Sequence, residues 1–198
     1  MLYNISKIIL SLFFHSYIRL KVVGHRNIPD SGGVILAPNH ISYLDPILIA
    51  LAVKRRVYSM AKEELFKNTF SRFVMINLNA FPVRRGRLDR YTLNRSLAVL
   101  HHGNVLNVFP EGTISLSGNT LEGKQGVAWL VLKTNVPVVP VKIIGSDRLL
   151  PDGKAFPKMG RASVIFGKPI NIDSKDHKHR EKRRIITHTI MEEIERLK

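Results

Sequence analysis

Short apolar runs rich in β-branched residues alternate with segments of helical periodicity along almost all of this 198-residue chain. The predicted strands cover 18–23, 33–37, 57–61, 80–83, 104–109, 136–144 and 162–166. The predicted helices cover 45–52, 66–77, 89–102, 126–134 and 176–197. Because strands that alternate with helices favour a parallel sheet covered on its faces, the predicted fold is a single α/β domain with a mostly parallel central sheet flanked by helices.

Residues 1–17 are predicted to form an amphipathic helix ahead of a domain at 18–198. Polar side chains recur at spacings of three, four and four residues from Asn4 to His15, which leaves an apolar opposite face. The apolar run is shorter than the roughly 20 residues that cross a bilayer, and it lacks the cleavage site of a signal peptide. The sequence leaves two alternatives open: a helix in the membrane interface, or one packed on the domain.

The chain carries 31 Lys and Arg residues against 15 Asp and Glu, for a formal net charge of +16. Such an excess favours polyanions, among them anionic lipid surfaces and acidic carrier proteins. Nucleic acid is not an expected partner, because the sequence has no helix-turn-helix signature, zinc spacing or strand with interleaved aromatic residues. The absence of cysteine excludes disulfides and a cysteine nucleophile, and it is compatible with a protein that faces the cytosol.

Neither a metal site nor a bound cofactor is expected. The histidines at 101–102 and at 177 and 179 lack carboxylate or thiolate partners at metal-site spacing. The segment 123–126 lacks the glycine spacing and the Lys-Ser/Thr pair of a phosphate-binding loop.

A histidine and a carboxylate lie five positions apart in the segment 39–45 (Asn-His-Ile-Ser-Tyr-Leu-Asp), directly after a predicted strand. Histidine titrates near neutrality and can accept a proton from a hydroxyl, while a neighbouring carboxylate can fix its tautomer and stabilise the imidazolium. Asp45 also has a structural role available, with Asp45 at the N-cap of a helix and Pro46 at its first position. The two interpretations are compatible, and His40 and Asp45 form the predicted catalytic pair.

Two more segments place polar groups directly after strand-like runs, 80–86 (Ala-Phe-Pro-Val-Arg-Arg-Gly) and 109–113 (Phe-Pro-Glu-Gly-Thr). Ligands of open α/β sheets bind beyond the carboxyl ends of strands, so three such motifs can converge on one site. Together with Val-Pro-Val at 139–141, their order resembles the four blocks of the glycerolipid acyltransferases, specifically the 1-acylglycerol-3-phosphate O-acyltransferases. The resemblance spans about 28–166.

The resemblance implies that residues 18–198 form an acyltransferase domain. It implies transfer of a fatty acyl group from a thioester, either acyl-coenzyme A or acyl carrier protein, to the sn-2 hydroxyl of 1-acylglycerol 3-phosphate, giving phosphatidate. It also implies that His40 and Asp45 are catalytic. The residues implied in substrate binding, around the acceptor's phosphate, are Arg85, Glu111, Gly112, Arg84 and Thr113.

One position departs from the pattern of this family. Its third block usually continues Thr-Arg-Ser, whereas this chain has Ile114 in place of the arginine. We hypothesise that Arg84 substitutes for the missing cation. Two roles stay open for Glu111, a hydrogen bond to a glycerol hydroxyl or an anchor for Arg85, while Gly112 permits close approach of the backbone.

Two alternative functions remain. One keeps the chemistry and changes the acceptor to glycerol 3-phosphate or another lysolipid. The other is a non-enzymatic basic module that binds membranes or nucleic acid. The expected location is peripheral, at the cytoplasmic face of the cell membrane, with an anionic membrane surface and lysophosphatidate as partners.

Overall fold

The computed structural model of this chain describes residues 17–83, 89–115, 121–154, 156–172 and 180–198. Within these ranges the strands are β1 Ile18–Val23, β2 Val34–Pro38, β3 Val57–Lys62, β4 Ala80–Val83, β5 Val105–Asn107, β6 Val138–Ile144 and β7 Gly160–Phe166. The α-helices are α1 Asp45–Ala52, α2 Thr69–Asn77, α3 Arg90–His101, α4 Gly126–Thr134, α5 Ser146–Leu149 and α6 Arg180–Arg196.

The strands form one seven-stranded sheet in the order β1-β7-β6-β2-β5-β3-β4. Every neighbouring pair is parallel except β6 and β7, which run antiparallel. The predicted α/β domain with a mostly parallel sheet and flanking helices is therefore confirmed.

Four neighbouring strands, β2, β5, β3 and β4, all run in the same direction. Their carboxyl ends consequently meet at one edge of the sheet, where open α/β sheets bind ligands. The segment that follows β2 contains His40, and the segment that follows β5 contains Glu111. Two of the three motifs recognised in the sequence are thus brought to the same edge.

Apolar side chains cover both faces of this sheet. Strand β2 is buried along its whole length, as is typical of a parallel strand covered on both sides. On one face, Leu48 and Ile49 of α1 pack in a cluster with residues of β1 and β7. On the other, Val99 of α3 and Ile190 of α6 pack in a second cluster around β2 and β5. The two clusters pack helices against both faces of the sheet, which holds the loops that follow the strands in place.

The boundaries of most elements differ from the prediction by one to three residues, and β5, predicted over 104–109, covers only Val105–Asn107. The helix predicted from residue 66 begins as a 3-10 turn at Glu63–Phe66 and becomes α-helical only at Thr69. Helix α5 was not predicted, because four residues are too few to show a helical period. The predicted helix at 1–17 lies outside the described residues except for Tyr17, as does the first part of the predicted C-terminal helix.

Among the described helices, none combines the length and apolar character that a membrane crossing requires.

Candidate active site

The turn between β2 and α1 brings the predicted catalytic pair into contact. His40 Nδ1 lies 2.9 Å from Asp45 Oδ2. Asp45 is fully buried, whereas the side chain of His40 retains 14% of its exposure. Because an ionised carboxylate can only accept, the proton on the ring belongs on Nδ1, and Nε2 is left with a free lone pair. The pair therefore presents a nitrogen that can take a proton.

The carboxylate of Asp45 is held by three further donors. Oδ2 also accepts the backbone N–H groups of Ile41 at 2.7 Å and of Ser42 at 2.8 Å. Oδ1 accepts the hydroxyl of Ser146, on α5, at 2.5 Å. The prediction of Asp45 as the N-cap is wrong by one residue, since Asp45 is the first residue of α1 and follows Leu44. Its carboxylate turns back to the loop because His40, Ile41 and Ser42 all offer donors there.

Asn39 fixes the start of this loop on β6. Its side-chain amide donates to the carbonyl of Ile143 at 3.0 Å, and its side-chain oxygen accepts the N–H of the same residue at 2.6 Å. Asn39 is buried. Because the nitrogen and the oxygen of this buried amide both bond the backbone of Ile143, the Asn39 side chain can rotate little. The loop that carries His40 is therefore held in one position where it leaves β2.

The third motif and the residues just after it also contact His40. The ring of Phe109 stacks on the imidazole with 3.8 Å between centroids. Glu111 Oε1 accepts the backbone N–H of His40 at 3.1 Å, and Oε2 accepts that of Leu121 at 3.2 Å. The N–H of Ser115 donates to the His40 carbonyl at 2.7 Å. Glu111, a predicted substrate-binding residue, therefore hydrogen-bonds the backbone of the His40 loop. Only 1% of its surface is exposed.

Burial raises the pKa of the Glu111 carboxyl above its ordinary value, although the N–H donors of His40 and Leu121 oppose that shift. The native protein therefore holds this proton to a higher pH than the unfolded chain. The free energy of unfolding therefore falls as pH rises through a window. That window runs from about 4.5, the ordinary pKa of a glutamate, to the raised pKa of Glu111 in the native protein.

We expect Glu111→Gln to remove that pH dependence. The stability advantage of the wild type over the variant should be greatest at acid pH and should shrink as pH rises through this window. Urea unfolding at a series of pH values measures it, with the exposed Glu122→Gln as the matched control. An advantage of the wild type that grows with pH would contradict the assignment.

A cavity of about 660 Å³ opens beside His40 at the carboxyl edge of the sheet. Its wall is mostly apolar, and apolar residues on it include Ile47, Met60, Leu65, Met75, Leu78, Val83, Leu93, Val108, Phe109, Val127 and Trp129. The volume suits a ligand with a long hydrocarbon segment. A group bound here would lie against the histidine that can take a proton.

The structure brings some of the predicted substrate-binding residues to this cavity and leaves others undescribed. Gly112 and Thr113 line it, as does Ile114. Arg84 and Arg85 lie outside the described residues, although Val83, directly before them, is on the cavity wall.

Asn39 and Ser146 have no predicted role, and the contact of Phe109 with His40 was not predicted either. A role for Asn39 could have been predicted from the sequence, because it directly precedes His40. Nothing local marked Ser146, which lies 101 residues from Asp45.

The chain is similar to proteins of known family. The family model described as Acyltransferase matches residues 19–144. A Bacillus subtilis protein named 1-acyl-sn-glycerol-3-phosphate acyltransferase is 28% identical over 169 residues, which are 85% of this chain and 80% of that protein. A chloroplastic protein of the same name from Arabidopsis thaliana is 28% identical over 87% of this chain, but this chain spans only 49% of its length.

The fold is also found in a solved structure. The crystal structure of the 1-acyl-sn-glycerophosphate (LPA) acyltransferase PlsC from Thermotoga maritima matches with a TM-score of 0.75 and 27% identity, covering 98% of this chain and 81% of that one. The family match runs from β1 to the end of β6 and so includes the loops that carry His40 and Glu111. This chain belongs to the Acyltransferase family.

Proposed function

We propose that this protein is a 1-acylglycerol-3-phosphate O-acyltransferase that moves a fatty acyl group from a thioester to the sn-2 hydroxyl and forms phosphatidate. The observation that carries the proposal is the His40–Asp45 pair, hydrogen-bonded at 2.9 Å beside an apolar cavity of about 660 Å³. The names of the relatives in Bacillus subtilis and Thermotoga maritima support the choice of acceptor.

In the proposed reaction the Nε2 atom of His40 takes the proton of the sn-2 hydroxyl as its oxygen attacks the thioester carbonyl carbon. Asp45 orients the ring through Nδ1 and stabilises the imidazolium that forms. The tetrahedral intermediate then collapses with cleavage of the carbon–sulfur bond, and the imidazolium returns the proton to the departing thiolate. The products are phosphatidate and a free thiol, and His40 ends neutral.

The absence of cysteine and of a Gly-x-Ser-x-Gly motif supports direct transfer, with both substrates bound together. The donor is an acyl-coenzyme A or an acyl carrier protein. Both are anionic, so the formal charge of +16 favours either one.

An anionic lipid surface is the proposed place of action, at the cytoplasmic face of the cell membrane. Helix α2 supports this, because Phe73 and Ile76 on its outer face are 60% and 54% exposed. Arg72 lies on the same face and is exposed as well. Met75, turned to the other side of the helix, lines the cavity. A cationic helix with exposed apolar side chains next to a lipid-sized cavity suits a bilayer interface.

We expect Phe73→Ser with Ile76→Ser to weaken binding to vesicles that contain anionic lipid by about tenfold or more, since two large apolar side chains no longer enter the interface. Vesicle co-sedimentation measures the effect. Ile185→Ser is the matched control, since Ile185 is a helical isoleucine that is 58% exposed on α6. Equal binding by the wild type and the double variant would exclude α2 as a membrane contact.

Acceptor identity is tested by supplying purified protein, in lipid vesicles, with an acyl thioester and one of three acceptors: 1-acylglycerol 3-phosphate, glycerol 3-phosphate or a lysophospholipid with a choline headgroup. We expect phosphatidate from the first and far slower reaction with the others. A preference for glycerol 3-phosphate or for the choline lipid would support the alternative acceptors. No acylated product from any of them would support a non-enzymatic membrane-binding module.

A further inference from the structure

Three of the described residues that line the cavity carry a positive charge: Lys62, Lys124 and Arg183. Lys62 lies with its ammonium 5.3 Å from the centre of the exposed Tyr43 ring. Arg183 is on α6 and also borders a second, smaller cavity beside Trp129. Lys124 differs from both because it lies directly on the Gly112 turn of the third motif.

Lys124 and Gly112 are closely packed. A Cβ atom placed on Gly112 would lie only 3.0 Å from both Nζ and Cδ of Lys124. Gly112 has a φ of +65°, a backbone conformation that glycine adopts without strain. The backbone N–H of Lys124 donates to the carbonyl of Pro110 at 2.8 Å, which ties the two segments together. Because residue 112 has no side chain, the Lys124 side chain can pack against this turn without a steric clash.

The charge of Lys124 is not neutralised within the described part of the chain. Each oxygen of the neighbouring Glu111 accepts a backbone N–H group, from His40 and from Leu121. None of the ion pairs between described residues includes Lys124. An exposed ammonium on a cavity wall, without a carboxylate partner there, is available to an anionic group of a bound ligand.

Ile114 is on the same wall, at the position where the resemblance leads one to expect an arginine. An isoleucine there offers no donor to a phosphate. We propose that Lys124 supplies a cation that residue 114 lacks and binds the phosphate monoester of the acceptor. Arg84, the candidate from the sequence, lies outside the described residues. A lysine ammonium is a compact charge on a flexible side chain, whereas an arginine guanidinium is planar and binds in a fixed orientation. Lys124 can therefore reach the phosphate from across the turn, without occupying the position of residue 114. This inference rests on the proposed function, whose acceptor carries that phosphate.

The kinetic test compares the wild type with Lys124→Ala. We expect the KM for 1-acylglycerol 3-phosphate to rise about 10- to 100-fold, the range for loss of one hydrogen bond to a charged group, with a much smaller change in kcat. Lys168→Ala, which removes an exposed lysine that is not on the cavity wall, should leave this KM unchanged. Adding Ile114→Arg to Lys124→Ala should recover most of the loss.

Binding is followed independently of turnover through Trp129, which lines the cavity and is the one tryptophan of the sequence. Its fluorescence is titrated with 1-acylglycerol 3-phosphate and with 1-acylglycerol, which lacks the phosphate. The wild type should bind the phosphorylated lipid more tightly, and Lys124→Ala should lose that preference. The same preference in both proteins, or a rise in the KM for the acyl donor instead of the acceptor, would overturn the proposal.

These outcomes separate the two proposals. If Lys124→Ala loses the preference for the phosphorylated lipid and the wild type makes no phosphatidate, Lys124 binds phosphate but the proposed function fails. If the wild type makes phosphatidate and the variant keeps both its KM and its preference, the proposed function stands and the Lys124 assignment is wrong.

Discussion

His40→Ala should lower kcat/KM for acyl transfer by about 10²- to 10⁴-fold, the usual contribution of a general base. The loss should appear mainly in kcat, because the apolar cavity that binds the lipid remains. Thiol release from an acyl thioester in the presence of 1-acylglycerol 3-phosphate measures it.

His101→Ala is the control for this variant, since His101 is an exposed histidine on α3, away from the cavity. Thermal unfolding should show that both variants are folded, because the backbone N–H of His40 that Glu111 accepts is retained in alanine. A His40→Ala enzyme with the activity of the wild type would exclude His40 as the base.

Asp45→Asn should lower kcat by about 10²- to 10⁴-fold while the protein stays folded. The amide can keep an oxygen toward the N–H groups of Ile41 and Ser42 and turn its NH₂ group toward the Ser146 oxygen, which can accept. The negative charge beside the imidazolium is lost, and the barrier to proton transfer rises.

Asp45→Ala separates the structural role from the catalytic one. Alanine leaves the N–H groups of Ile41 and Ser42 and the hydroxyl of Ser146 without their acceptor in a buried place. Each such loss costs about 1–3 kcal/mol, so this variant should unfold at a clearly lower urea concentration. Asp152→Asn, at an exposed aspartate, is the control for both. If Asp45→Asn retained full activity, the carboxylate would have a structural role only.

The strands of this protein could be predicted closely from sequence because each is a short apolar run bounded by glycine, proline or polar residues. β1 and β4 have the predicted limits, and α4 does as well. The direction of β7 could not be predicted, since nothing in the pattern of 160–166 distinguishes an antiparallel strand from a parallel one. The start of α2 was missed because helical periodicity does not separate a 3-10 turn from the first turn of an α-helix.

The candidate site was predictable where its contacts are local. His40 and Asp45 are five positions apart, so their contact depends on one turn. Contacts between distant segments could not be predicted: Ser146 meets Asp45 across 101 residues, and Glu111 meets His40 across 71. The two roles predicted for Glu111 involved a ligand or Arg85, and neither prediction included its hydrogen bonds to the backbone N–H groups of His40 and Leu121. The sequence shows which residue types a motif contains, but only the fold shows which of their polar atoms already hydrogen-bond within the protein.

Direct transfer to the acceptor hydroxyl, with His40 as the base, is tested most directly by one rapid-mixing measurement. The protein is mixed with excess acyl thioester, and thiol release is followed with and without 1-acylglycerol 3-phosphate, in wild type and in His40→Ala. We predict release that requires the acceptor, equals the phosphatidate formed, and is lost in the variant. A burst of thiol equal to the enzyme concentration without acceptor would show an acyl-enzyme and contradict this mechanism, as would equal rates in the two proteins.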